Sequence, residues 1–281
     1  MKKVKHILVP TDFSVTASNA FSYAKVLAEA CGADITVLHV SEFYLPASEL
    51  TFTPLTKYED EKVAEAMENF VSEEDSENAV MVQAKVKTKV VKGDPVSRIV
   101  EFSRSEDVDI IVMGTTGLQD FISKIIGSIS LDISNEAVCP VVLVPRDARW
   151  KPLNKILFAT TYEATAPKIV REIADFSQIF GAKVDFVHID DTPWDEDHDT
   201  DKLFDELFSS GTPDFSFEIH SIKKADIVQG LRKYAERNGT NLIAFTHKHR
   251  NFWQNIIHHS ITENMSISTD IPMMIMHFDD K

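Results

Sequence analysis

The sequence predicts an α/β chain made of two tandem domains, each a parallel sheet with helices on both faces. Three observations carry this. Short apolar runs alternate with amphipathic helical segments. The alternation occurs twice along the chain. The two occurrences also align residue by residue: Ile7–Val40 matches Ile156–Ile189 over 34 residues without a gap. Thr11 meets Thr160, Gly32-Ala33 meets Gly181-Ala182, and His39 meets His188. A second block pairs Asp94 with Asp226, Ile111 with Ile243, Ser128-Ile129 with Ser260-Ile261, and Pro140 with Pro272. The offset falls from 149 to 132, so the first copy holds 17 more residues in its middle. A solenoid period of ~30–40 residues is absent, so this is domain duplication.

In the first copy the β run Ile7–Val9 precedes a helix with Ala20, Tyr23, Ala24, Leu27 and Ala28 on one face. Gly32 ends that helix, and Ile35–Val40 reads as the second strand. The segment from Ser41 to Asn78 reads as helix over Tyr58–Val71, followed by the mobile acidic run Glu73–Glu77. A third strand falls within Val80–Val91. A helix over Pro95–Arg104 has Pro95 in its first turn, where proline is tolerated. Asp109–Met113 is apolar enough for a buried parallel strand. A helix over Ser128–Glu136 and a strand over Pro140–Val144 complete the copy. The second copy opens on Ile156–Phe158. The boundary falls in the charged segment Pro145–Pro152, giving domains over residues 1–147 and 152–281.

The 281 residues are 43% apolar and 26% charged, as in soluble globular chains. A formal charge of −15 opposes nucleic-acid binding, which needs clustered Lys and Arg. It also means that a phosphate site must rely on local backbone donors. The sequence has no apolar run of ~18 residues, so no membrane span is expected. The N-terminus leads straight into the first strand with no signal-peptide pattern, so a cytoplasmic location is expected. Cys31 and Cys139 have no metal-type spacing, and each should pack as a small hydrophobe without a disulfide. The acidic cluster Asp195–Asp199 lacks the glycine and spacing of a calcium loop.

The chemistry-bearing constellation follows the strand Asp109–Met113. Gly114 and Gly117 come first; after nine intervening residues come Gly127 and Ser128, which open a helix. Ligands of open α/β sheets sit at the carboxyl ends of the strands. Glycines there let backbone N–H groups approach phosphates, and a helix N-terminus offers free donors and a favourable dipole. Ser128 and Ser130 add hydroxyls. Asp12 ends the neighbouring strand, where a carboxylate can accept bonds from a ribose or an adenine amino group. On spacing alone a plainer reading stays open: Gly114 and Gly117 make turns, and Ser128 is a helix cap. A Walker loop and a GxGxxG after the first strand are both absent.

The full pattern Gly114-x2-Gly117-x9-Gly127-Ser128 resembles the ATP-binding motif of universal stress proteins. The opening Ile7-Leu-Val-Pro-Thr-Asp12, Gly93-Asp-Pro95 and the closing Cys139–Val144 are similar to that family too. The resemblance implies a five-stranded Rossmann-like domain of the adenine-nucleotide α-hydrolase type, present twice. It implies ATP contacts at Pro10, Thr11, Asp12, Val40, Gly114, Gly117, Gly127, Ser128, Ile129 and Ser130. It implies dimerisation through the last strands, which the two copies can satisfy within one chain as a pseudo-dimer, leaving a further homodimer open. Lys124 is the only cation inside the loop. A triphosphate therefore needs Mg2+ or a basic group such as Arg98, and AMP or ADP remains an alternative.

The second copy departs from the motif. Thr246, His249 and His259 stand where Gly114, Gly117 and Gly127 stand, and Ala159 and Thr161 replace Pro10 and Asp12. This copy is not expected to bind ATP in the family's manner. Its histidine pairs, His247 with His249 and His258 with His259, do not match a standard zinc spacing, and no metal ligands are assigned. GxSxG and HExxH are absent. The expected function is an adenine-nucleotide-binding stress-response protein acting as sensor or adaptor on an unknown protein partner. The alternatives are a nucleotide-free interaction scaffold and a slow ATPase or autophosphorylating protein; no catalytic residue is assigned.

Overall fold

The computed structural model describes residues 4–41, 54–77, 84–115, 127–160, 167–190, 214–223, 227–246 and 270–277. Ten strands form one sheet: β1 (His6–Pro10), β2 (Asp34–Ser41), β3 (Val86–Lys92), β4 (Ile110–Gly114), β5 (Val141–Val144), β6 (Lys155–Thr160), β7 (Lys183–Asp190), β8 (Phe217–Lys223), β9 (Leu242–Thr246) and β10 (Met273–Met276). The order is β3-β2-β1-β4-β5-β10-β9-β6-β7-β8. Each half is parallel with the pattern 3-2-1-4-5, and the halves meet through antiparallel pairing of β5 with β10. The predicted α/β architecture is therefore present in both copies.

The central strands are buried on both faces because helices cover both. On one face α1 (Val15–Cys31), α2 (Pro54–Glu77) and α5 (Pro167–Phe180) close a core containing Phe21, Phe158, Phe176 and Phe186. On the other, α3 (Pro95–Ser105), α4 (Ser128–Glu136) and α6 (Ile227–Asn238) cover Leu8, Ile111, Leu143 and Leu157. All five residues of the predicted α1 stripe are buried. Ser14 caps α1 by accepting from the Ala17 amide, and Gly32 ends it at φ 67°, a left-handed conformation that glycine adopts without cost.

Two readings are corrected. α2 runs from Pro54 to Glu77, so the acidic run Glu73–Glu77 continues the helix. The third strand begins at Val86, among the residues described. The segment Pro145–Pro152 is not a loose tether. The Asn19 side-chain amide donates to the Pro145 and Ala148 carbonyls, both at 2.9 Å. Trp150 packs against Tyr23, with ring centroids 4.7 Å apart, and lies near Phe180 of the second half. The acidic cluster Asp195–Asp199 lies outside the described residues. Cys31 and Cys139 are free and buried, as expected, and burial pushes their thiols up to about 11 and about 12.

Asp94 caps α3. Its Oδ2 accepts from the Ser97 amide at 2.9 Å and from the Ser97 hydroxyl at 2.7 Å. These bonds, the backbone one foremost, favour the charged form and hold the carboxyl below its ordinary 3.8. Its contribution to stability is thus full above the unfolded-state value and is lost as pH falls through the lower folded-state value. Asp94→Asn keeps an acceptor but cannot titrate. The acid arm of a pH series of thermal-unfolding midpoints should therefore flatten in that variant.

Candidate functional site

The reversal of strand order between β1 and β4 makes their carboxyl ends the topological switch point of the first half. Side chains shape the exit from β1. The Thr11 amide donates to the Leu38 carbonyl at 2.9 Å, extending the ladder. The Thr11 hydroxyl then accepts from the Phe13 amide, and Asp12 Oδ1 from the Ser14 amide, each at 3.0 Å. Ser14 in turn caps α1. The three polar side chains of Thr11, Asp12 and Ser14 thereby turn the strand into the helix.

Phe13 sits within that turn at φ 63°. This is an outlier for a bulky residue, and such strain collects at functional sites. Its ring stacks on His39, with centroids 4.5 Å apart, and meets Phe70 of α2 edge-on at 5.9 Å. His39 Nδ1 donates to the Thr11 carbonyl at 2.9 Å, which fixes its tautomer. Val40, half-buried, follows at the end of β2.

At the end of β4 the Thr115 amide donates to the Val144 carbonyl at 3.2 Å. The Thr115 carbonyl accepts from the Gly127 amide. The Ser130 hydroxyl donates to the Gly114 carbonyl at 2.9 Å. The strand exit and the start of α4 are therefore clasped together, so the segment between them leaves and returns at one point. Gly117 and Lys124, within it, lie outside the described residues. Gly127 is the N-cap of α4 and has no side chain to occupy the first-turn donors. Ser128 and Ile129 are exposed there, while Ser130 is buried.

The structure thus brings together Pro10, Thr11, Asp12, Gly114, Gly127, Ser128, Ile129 and Ser130, with Val40 one strand away. The structure qualifies three roles given in the sequence reading. The Ser130 hydroxyl is committed to Gly114. At Gly114 itself an added Cβ would lie 2.6 Å from Thr16 Cγ2 and 3.0 Å from the Thr16 backbone, so close packing of α1 on β4 already requires glycine. Arg98 is no spare cation: its guanidinium donates to the Lys92 carbonyl at 3.1 Å and pairs with Glu101 at 2.7 Å. Sequence reasoning missed Phe13, Thr16 and Thr115. Asp12 and Ser14, both turn and cap formers, were the available signal for the Phe13 turn.

The second half repeats the scaffold. His188 Nδ1 donates to the Thr160 carbonyl at 3.2 Å, as His39 does to Thr11. Ala159 and Thr160 are buried at the end of β6. Thr246, the counterpart of Gly114, is 2% exposed, and its hydroxyl has no hydrogen-bond partner among the described residues. Thr161, His247, His249, His258 and His259 lie outside those residues.

Residues 3–145, just over half of the chain, match the profile of the universal stress protein family. The chain belongs to the universal stress protein family. A universal stress protein of Methanocaldococcus jannaschii is 30% identical over 154 residues, covering 50% of this chain and 95% of the relative. One of Thermus aquaticus is 31% identical over 140 residues, covering 50% of this chain and 98% of the relative. The crystal structure of a universal stress protein from Archaeoglobus fulgidus superposes with a TM-score of 0.70 at 17% identity. It covers 99% of this chain and 98% of its own, so the fold likeness extends through both halves. None of the universal stress protein's described helices is long and apolar enough to cross a membrane.

Proposed function

We propose that the first half of this chain binds ATP, or another adenine nucleotide such as ADP or AMP, between the ends of β1 and β4, and that the protein works as a sensor or adaptor. The carrying observation is the clasp between Thr115 and Gly127. It holds the Gly127 N-cap of α4, with the helix dipole and first-turn amides, at the end of β4, whose neighbour β1 leads into the Asp12 turn. In a chain of net charge −15, such local donors are what an anionic ligand needs. Asp12 suits the ribose or the adenine amino group. Mg2+ would offset triphosphate charge, since Arg98 is engaged elsewhere. The second half, with Thr246 filling the place of Gly114, serves as a nucleotide-free scaffold.

Calorimetric titration of ATP with Mg2+ into the full chain tests this. A saturable isotherm near one site per chain is expected. No heat together with no thermal shift would leave the scaffold reading alone. Steady phosphate release that disappears in Asp12→Ala would make the protein an ATP-hydrolysing enzyme instead.

A further inference from the structure

A second polar constellation lies in the other half, towards the amino ends of the strands. Sheet register sets Asp185 of β7 beside Glu218 of β8, and Val187 beside His220. Residues two apart on a strand share a face, so Glu218 and His220 project to one side together. One carboxylate oxygen of Asp185, one of Glu218 and a ring nitrogen of His220 lie within 4.8 Å of one another. Tyr234 of α6 donates its hydroxyl to Asp185 Oδ2 at 2.8 Å, and Lys155 Nζ lies 3.2 Å from the same oxygen. Lys183 and His220 both pair with Glu218.

The Asp185 side chain is fully buried, and its other oxygen, Oδ1, has no hydrogen-bond partner among the described residues. Buried carboxylate oxygens are normally paired, so Oδ1 is an acceptor with capacity for a ligand. Nor does the duplicated scaffold require the arrangement. At the corresponding positions the first half has Thr36, Lys87, Lys89 and Phe102, with His6 Nε2 against the Thr36 hydroxyl at 2.9 Å. The acidic and imidazole donors belong to the half that has lost the glycine motif.

We propose that Asp185, Glu218 and His220 bind a divalent transition-metal ion of the zinc class. Two carboxylates and one imidazole are a borderline donor set, suited to zinc, whereas calcium and magnesium take oxygen ligands. Bonds of about 2.0–2.2 Å place tetrahedral donors about 3.4 Å apart. The half-exposed Glu218 side chain reaches that spacing by a rotamer change, while strands hold the other two donors. The ion takes the place of Lys183 on Glu218, and the Lys183 ammonium turns into solvent. Lys155 and Tyr234 stay on Asp185 Oδ2 and leave Oδ1 for the ion. The Tyr234 hydroxyl keeps its bond to Asp185 Oδ2. It is a positioning residue behind the metal ligand. Three protein ligands leave the fourth position to water or to a partner's side chain.

The test uses the full chain, freed of metal by chelation and titrated with Co2+ by visible absorption, then with Zn2+ in competition. One equivalent should bind. His220→Ala and Glu218→Gln should each weaken it about 100-fold, and Tyr234→Phe about 10-fold. The double variant His247→Ala, His249→Ala should bind as the parent does. Zn2+ should raise the thermal midpoint of the parent but not of His220→Ala. Asp185 is left in place because its removal strands Lys155. Undiminished affinity in His220→Ala, or no saturable uptake by the folded parent, overturns the proposal. Neither result bears on ATP binding at the other half.

Discussion

Gly127→Val is expected to weaken the proposed ATP binding about 100-fold while the chain stays folded. Gly127 has φ −63° and ψ 152°, an extended conformation that valine readily adopts. The substitution therefore introduces no backbone strain, and the Gly127 amide keeps its bond to Thr115. Its cost to the fold is the loss of a good N-cap residue, about 1 kcal/mol. Its effect on the ligand is larger, because a branched side chain now stands over the first-turn amides. A bond from such an amide to a phosphate oxygen contributes about 1.5–3 kcal/mol. Losing one near the top of that range lowers affinity about 100-fold. Calorimetry of the variant beside the parent, with circular dichroism as the folding control, reads both numbers. Parent-like affinity in a folded variant would remove the start of α4 from the site.

Gly114→Val has its largest effect on stability, not on binding. The first added carbon meets Thr16 Cγ2 at 2.6 Å and the Thr16 backbone at 3.0 Å. α1 must move away from β4, or β4 from β1. Overpacking of this kind costs about 1–3 kcal/mol, and valine adds two further carbons, so the expected loss is about 3 kcal/mol. Gly114→Ala combined with Thr16→Ala should recover only part of the alanine penalty, because the backbone contacts remain. Denaturant unfolding of the single and double variants checks this. A Gly114→Ala protein as stable as the parent would return this glycine to the phosphate-approach reading.

These two glycines show what the sequence could and could not disclose. Both belong to one spaced motif, and spacing predicts the same role for each. In three dimensions Gly114 is held by the neighbouring helix, whereas Gly127 is free of conformational need. Elements with their own local signals were legible. Gly32 ends α1, Asp94-Pro95 opens α3, and α4 spans the predicted Ser128–Glu136. Features that depend on distant partners were not. Asp12 and Ser14 announce a turn around Phe13 but not its left-handed backbone, which goes with the stack on His39 and the edge-on contact with Phe70. The Pro145–Pro152 segment reads as a charged linker, and nothing in it discloses the bonds from Asn19. Asp185 and Glu218 meet only through the register of β7 and β8, so a search for histidine spacing along the chain passes over them.

The antiparallel joint between β5 and β10 has a consequence in terms of symmetry and mass action. Two separate identical subunits meeting through one strand each would carry every joint substitution twice, and dilution would part them. Here Leu143 faces Met273 and Val141 faces Ile275, so either side can change alone. The covalent link keeps the two strands at a fixed effective concentration however dilute the protein is. One half is thereby free to lose a glycine motif and to gain a buried acid, Asp185, without the other half having to follow.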